Sequence, residues 1–392
     1  MRKVKLALTG CGERGIAVGR LFVSHPQCEL TAVVDRFKSI AEAARTKLSI
    51  PNATIYTDYE KMLKEADIDA VFIASDPLEQ VDMACAAMEK GKHVCTEVPA
   101  AFSINECWKL VNTVEKTGCK YQLMEQVRYW GFVDECRKMN ERGEFGHICL
   151  VQGEYMHYIG YEPHLGFWTD LDTGEILPGA ERPANRNVEA HWRQKIQTDP
   201  IYYLPHTLSP LLKILDDRVI RVSCMSPQRG SYTYPGFRAN DLEYSLMYTA
   251  GDTVILAGVG STLPHLRRGK LGYHWYELRG PKASVSTPRY PEDSFRLWRE
   301  GKENTYEAAP WSSIPLDANA DQSGSGHGGA DFKPVATFLE AIINDTIPPM
   351  DVYLAVETAA PAILAAESAA KGGVLLDVPD FRKKGKKQVN FE

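Results

Sequence analysis

The sequence predicts an α/β protein of two domains. A doubly wound, parallel-sheet domain is expected over residues 1–126, and an α+β domain with a mainly antiparallel sheet over 127–392. Three observations carry this. The 392 residues exceed one compact core and suit two, at roughly 100–200 residues each. In the first third, short β-branched apolar runs alternate with amphipathic stretches of helical period, the pattern of strands joined by crossover helices. Beyond that third, strand-like segments follow one another with few helices between, the pattern of an antiparallel sheet.

The first-domain strands are expected at Val4–Thr9, Leu30–Val34, Ala70–Ala74, Val94–Thr96 and Tyr121–Met124. Helices are expected at Arg14–Val23, Ile40–Leu48, Tyr59–Glu65, Glu79–Glu89 and Asn105–Lys116. Gly91 and Gly118 close two of them, and Ser103 with Glu106 makes a capping box at the start of the last. The second domain reads as strands Ile148–Tyr158, Val219–Met225, Tyr244–Thr249, Thr253–Val259 and Tyr273–Leu278, then helices Lys333–Asn344 and Val352–Ala370. Leu171–Asn187, rich in Pro, Gly and charge, reads as a long surface loop, and Asp321–Gly329 as an irregular Gly/Ser-rich segment. The basic stretch Arg382–Lys387 reads as a solvated tail.

Composition narrows the function classes. Hydrophobic residues make up 44% and charged residues 24%, the balance of a soluble globular chain. Lys and Arg number 45 against 51 Asp and Glu, a net charge of −6 that lacks the positive field nucleic acid requires. No apolar run reaches the ~18 residues of a membrane span. The chain enters its first strand within a few residues of Met1, with no secretory signal. The nine cysteines form no Cys-x-x-Cys pair and read as free thiols. A cytoplasmic protein is expected, without nucleic-acid or membrane partners. No His-Glu-x-x-His or comparable spacing calls for a metal.

The sharpest motif lies where the first strand meets the first helix. Gly10-Cys11-Gly12-Glu13-Arg14-Gly15 fits Gly-x-Gly-x-x-Gly in the strand–turn–helix setting that gives the pattern meaning. Gly10 allows the tight turn, Gly12 lets backbone approach a diphosphate, and Gly15 lets helix and strand pack closely. Unpaired amides at the helix start, where Glu13 and Arg14 sit, favour the anion. Asp35 ends the second strand 20 residues after Gly15 and can accept both ribose hydroxyls of an adenosine. That favours NAD over NADP, although Arg36 beside it can welcome a 2′-phosphate. This is the signature of a Rossmann domain, and NAD is the expected cofactor.

After the expected strand Val94–Thr96 comes Glu97-Val98-Pro99-Ala100. With the glycine loop, Asp35 and the strand end Ala74-Ser75-Asp76-Pro77, it makes the sequence resemble the Gfo/Idh/MocA family over nearly its whole length. The resemblance implies an N-terminal Rossmann domain and a C-terminal α+β domain built on an open, mainly antiparallel sheet. Copies would associate through that sheet as a homo-dimer or homo-tetramer. It implies NAD(P)-dependent chemistry on sugars and polyols, with Ser75, Glu97 and Pro99 bordering the cofactor. The family's usual motif is Glu-Lys-Pro. Val98 carries neither a proton nor a charge, so proton transfer must come from elsewhere.

Two segments of the second domain offer a source. In Glu154-Tyr155-Met156-His157-Tyr158, alternation puts Tyr155 and His157 on one strand face. His191-Trp192-Arg193 precedes Tyr202-Tyr203-Leu204-Pro205-His206, which enters an apolar helix. A His at a helix N-terminus is held neutral by the dipole and can take a proton. These segments, with Glu-Val-Pro-Ala and His327-Gly328-Gly329-Ala330-Asp331, resemble the NAD-dependent α-N-acetylgalactosaminidase-type glycosidases within the family. The resemblance implies Tyr155 as base at C2 and His206 as the group serving the C3 hydroxyl. It places His157, Trp192, Arg193, Tyr203 and His327 around the sugar. The stretch Leu204-Pro205-His206-Thr207-Leu208-Ser209-Pro210 departs from that subgroup's Tyr-Pro-Thr-His-Gly-Leu-Gly-Pro. From the residues alone, Tyr155 and Trp192 also fit packing positions, and His327 with Asp331 also fits an ordered glycine-rich loop.

The expected function is an NAD-dependent oxidoreductase moving hydride from a ring carbon, C3, of a sugar or glycoside. The alternative is a redox-neutral glycosidase that oxidises, eliminates, adds water and re-reduces. A third is a non-catalytic NAD-binding sensor.

Overall fold

The computed structural model of the chain describes residues 3–157, 166–178, 181–191, 199–228, 231–233, 239–263, 271–302, 305, 307–309 and 326–382. Strands β1 (Val4–Thr9), β2 (Cys28–Val34), β3 (Thr54–Tyr56), β4 (Ala70–Ile73), β5 (His93–Thr96) and β6 (Tyr121–Leu123) form one parallel sheet. Its order is β3-β2-β1-β4-β5-β6, so the direction of progression reverses beside β1. Ligands of such sheets sit outside the carboxyl ends of the strands at that reversal. The connecting helices are α1 (Glu13–Ser24), α2 (Lys38–Lys47), α3 (Tyr59–Glu65), α4 (Gln80–Glu89) and α5 (Ile104–Thr117).

Local chemistry explains the punctuation. Leu6, Ala7 and Leu8 of β1 and Val71, Phe72 and Ile73 of β4 are all buried, because helices cover both faces of a parallel sheet. Ser103 and Glu106 close the expected capping box on α5, and Gly118 ends that helix at φ 67°. β3 is absent from the sequence reading. It is a three-residue edge strand, too short for a periodic signal.

Helix α6 (Gly131–Glu141) follows β6 and is a second addition to the sequence reading. The large sheet then comprises β7 (Leu150–Met156), β11 (Val219–Met225), β12 (Leu242–Thr249), β13 (Val254–Gly260), β14 (His274–Arg279), β15 (Ala283–Ser286), β16 (Arg296–Arg299), β17 (Glu307–Ala308) and β18 (Leu376–Asp377). Its order is β17-β16-β15-β14-β7-β13-β12-β11-β18. Neighbours are antiparallel except β7 and β13, which run parallel, so the sheet is mixed. Helices α7 (Pro205–Leu215) and α9 (Val352–Ala370) lie on this sheet, and α6 packs on α7. α9 meets the length and hydropathy of a membrane span, contrary to the sequence reading, but it is mostly buried inside the fold, as in a core helix.

Two features depart from simple succession. Helix α8 (Phe332–Ile343) returns to the first sheet, where Val335, Phe338 and Leu339 join Leu6, Leu8, Val18 and Phe22 in one apolar cluster. The span expected as loop, Leu171–Asn187, instead holds strand β9 (Ile176–Pro178) of a three-stranded sheet with β8 (Gly166–Asp170) and β10 (Val188–Ala190). Pro178 is tolerated because β9 is an edge strand, and Gly174 turns the hairpin at φ 77°.

Candidate active site

The glycine loop behaves as its spacing demands. Gly10 has φ 82°, and a Cβ there would lie 2.4 Å from the Ala74 carbonyl oxygen. A Cβ on Gly15 would lie 2.0 Å from the Gly10 carbonyl oxygen. At Gly12 a Cβ would meet nothing within 4 Å, so the loop faces open space there. No side chain caps the first turn of α1, which leaves its amides, at Glu13 and Arg14, for an anion. Asp35 accepts hydrogen bonds from the amides of Cys11 and Phe37, each 3.0 Å, and so ties the loop to the end of β2. These residues fit a dinucleotide.

A charged network runs from this loop to the second domain. Arg14 donates through Nε to Glu97 at 2.9 Å, and through its terminal nitrogens to Asp331 at 2.8 and 3.4 Å. Asp331 also lies 2.9 Å from Nδ1 of His327. Burial alone would raise the Asp331 pKa, but His327 and Arg14 hold it well below the usual carboxylate range. Burial raises the pKa of Glu97, with Arg14 pulling against it. Gln80 donates to the carbonyls of Glu97 and Pro99 at 2.9 and 2.8 Å and so fixes this turn. Ser75 sits at the end of β4, its hydroxyl 3.2 Å from the Met83 sulfur. Arg36 lies 2.5 Å from Glu189 of β10.

The proton-handling groups gather on the other side. Gly153 lets α7 settle onto β7, since a Cβ there would fall 2.4 Å from the Thr207 methyl. That approach brings His206, the second residue of α7, beside Tyr155, with ring centroids 5.1 Å apart and edge-on. His206 Nδ1 lies 2.7 Å from the buried Glu125 carboxylate, close in distance though off the line of an ideal hydrogen bond. Burial works to raise the Glu125 pKa, but His206 and the Val127 amide bring it below the ordinary value. The Tyr155 hydroxyl is pushed well above its ordinary pKa by burial, then by Tyr203 and Glu125. His157 and His274 flank Tyr155 at 5.5 and 4.5 Å, and Tyr203 stacks 6.2 Å from His206. The ring of His327 lies 6.1 Å from that of His206, linking the two halves.

The structure therefore brings together Arg14, Glu97, Tyr155, His157, Tyr203, His206 and His327. Trp192 and Arg193 lie outside the described residues. Among the described residues, no group of three or more His, Cys, Asp or Glu could hold a metal ion. The sequence reading missed Glu125 and His274. Glu125 lies two residues past β6, at the carboxyl end of a parallel strand, and that position is its available signal. His274 pairs across from Tyr155 in the sheet register. Tyr276 donates its hydroxyl to the His206 carbonyl at 2.8 Å, which makes His274 Nδ1, 3.1 Å away, the donor to that hydroxyl.

Fold and loop define an NAD-binding Rossmann protein. Residues 4–125 match the oxidoreductase family with the NAD-binding Rossmann fold (Gfo/Idh/MocA), and residues 296–388 match the glycosyl hydrolase 109 C-terminal domain. The chain thus resembles a Gfo/Idh/MocA Rossmann domain over 4–125 and a glycosyl hydrolase 109 C-terminal domain over 296–388, with residues 126–295 matched by neither. It is 28% identical to an alpha-N-acetylgalactosaminidase of Tannerella forsythia, over 86% of this chain and 76% of that one. It is also 28% identical to an alpha-N-acetylgalactosaminidase of Bacteroides fragilis, over 97% of this chain and 92% of that one. The fold is that of scyllo-inositol dehydrogenase from Lactobacillus casei, solved with NAD(H) and scyllo-inositol. That match has a TM-score of 0.71 and 16% identity, over 96% of this chain and 99% of that one.

Proposed function

We propose that this chain is an NAD-dependent oxidoreductase of a sugar or glycoside, in which hydride leaves C3 of the ring. The observation that carries the reading is the His206–Glu125 contact, joined through His327, Asp331 and Arg14 to the glycine loop. NAD bound at the loop supplies the hydride acceptor. His206 takes the C3 hydroxyl proton through Nε2, while Glu125 beside Nδ1 orients the ring and steadies the cation that results. Val98 offers no alternative base at the position where a lysine is usual. The rings of His157, Tyr203 and His327, next to Tyr155 or His206, offer polar groups that suit a polyhydroxylated ligand.

A second reading is the redox-neutral glycosidase. It is favoured by Tyr155 lying edge-on to His206 and by the match of residues 296–388. A ketone at C3 acidifies the C2 hydrogen. Tyr155, as phenolate, would remove that proton, the anomeric group would leave, water would add, and hydride would return to C3. Its raised pKa makes Tyr155 a stronger base but requires its own proton to be handed on first. The exposed apolar row Met225, Tyr244 and Leu246 on β11 and β12 supports association of copies through the open sheet face.

The test is an incubation with a panel of aryl glycosides, following reduced nicotinamide beside aglycone. Reduced nicotinamide accumulating without aglycone supports the dehydrogenase. Aglycone without accumulation supports the glycosidase. Neither product, with nucleotide bound, would defeat both.

A further inference from the structure

The corner where Asp35 ends β2 carries contradictory charges for cofactor choice: an acid that rejects a 2′-phosphate and an arginine that attracts one. The structure shows what becomes of the arginine. Arg36 Nη1 lies 2.5 Å from Glu189 Oε1, and its guanidinium sits 4.8 Å over the Phe37 ring. Glu189 is held in place by sheet register, opposite Thr169 of β8. The β8–β9 hairpin leans on the same corner. Ser39 donates to the Thr173 carbonyl at 3.4 Å, and a Cβ on Gly174 would lie 2.8 Å from the Phe37 ring. The Asp35 carboxylate is meanwhile fixed by the Cys11 and Phe37 amides. The guanidinium thus rests on a carboxylate from β10, while the acid beside it in sequence is turned to the glycine loop.

We propose that Glu189 is a positioning residue for cofactor choice: by engaging Arg36 it withholds that guanidinium from a 2′-phosphate and makes the site select NAD over NADP. This rests on the glycine loop being the dinucleotide site. A 2′-phosphate would have to displace Glu189 from Arg36 while meeting the charge of Asp35. The Arg36 side chain is 55% exposed and that of Glu189 31%, so solvent screens the pair and the effect is modest.

The test titrates NADH and NADPH into the full chain by nicotinamide fluorescence. The wild type should prefer NADH. Glu189→Gln should move the NADPH-to-NADH affinity ratio about fivefold toward NADPH, the upper scale of one half-exposed ion pair. Glu189→Asp, which keeps the charge, should stay near the wild-type ratio. Adding Arg36→Ala to Glu189→Gln should erase the gain. An unchanged ratio in a Glu189→Gln protein that still binds NADH overturns the proposal alone. So does a gain that survives removal of Arg36, or loss of NADH binding in Glu189→Gln, which would make Glu189 merely structural. A wild type that binds neither nucleotide defeats the dinucleotide reading itself.

Discussion

Arg14 and Asp331, 317 positions apart in the chain, meet through two hydrogen bonds of 2.8 and 3.4 Å. The same guanidinium holds Glu97 at 2.9 Å. One residue of the glycine loop therefore ties the turn after β5 to the segment carrying His327. The path from the loop to the ring beside His206 is short, from Arg14 through Asp331 to His327.

Asp331→Asn should destabilise the fold in a pH-dependent way. The Asp331 pKa is depressed in the folded state. Its contribution is therefore complete above the unfolded value, about 3.9, and is lost as pH falls below it toward the folded value. The wild type should exceed Asp331→Asn by roughly 1–2 kcal/mol at neutral pH, less than for a fully buried pair because a third of the Arg14 side chain is exposed. Thermal melts at neutral and strongly acidic pH check this, and a gap that does not narrow in acid contradicts it.

Two alanine substitutions in one motif should separate folding from binding. Gly15→Ala places a methyl 2.0 Å from backbone and should cost about 2 kcal/mol or more. Gly12→Ala meets no protein atom within 4 Å, so its melting temperature should stay near wild type. Its affinity for NADH should fall about tenfold or more, because the methyl enters the space assigned to the diphosphate. Melting curves and NADH titration of both variants decide the matter. Tight NADH binding by Gly12→Ala would move the diphosphate elsewhere.

Glu125→Gln keeps the shape beside His206 and removes the charge. Turnover should drop about a hundredfold while NADH still binds, the usual scale for disabling a general base. The pH–rate profile should change as well, because the buried carboxylate that His206 keeps ionised is gone. A variant with wild-type turnover and profile would reduce Glu125 to a packing residue.

The parts of the fold legible in the sequence are those whose information is local. The glycine loop, the capping box at Ser103, and helices such as α9 declare themselves by spacing within a few residues. β3 is too brief to show a period, and α6 carries a helical stripe, Phe132, Cys136 and Met139, inside a region otherwise read as strands. β9 hides behind Pro and Gly that mark an edge hairpin as readily as a loop. The site divides the same way. Tyr155 and His206 each stand in a motif visible in the sequence. Their nearness depends on Gly153 admitting α7, and the partners Glu125 and His274 come from the turn after β6 and from β14. No spacing along the chain encodes such a meeting. The Arg14–Asp331 bond is the extreme case, since each residue looks like ordinary loop polarity until the fold closes.

The most direct measurement is a rapid-mixing experiment on the NAD-loaded protein with a cleavable aryl glycoside, watching reduced nicotinamide within the first turnover. The account predicts a rise in reduced nicotinamide that precedes or accompanies product, and no rise in His206→Ala even though that variant still holds the nucleotide. Release of aglycone with the nicotinamide oxidised throughout, or an undiminished rise in His206→Ala, would contradict it.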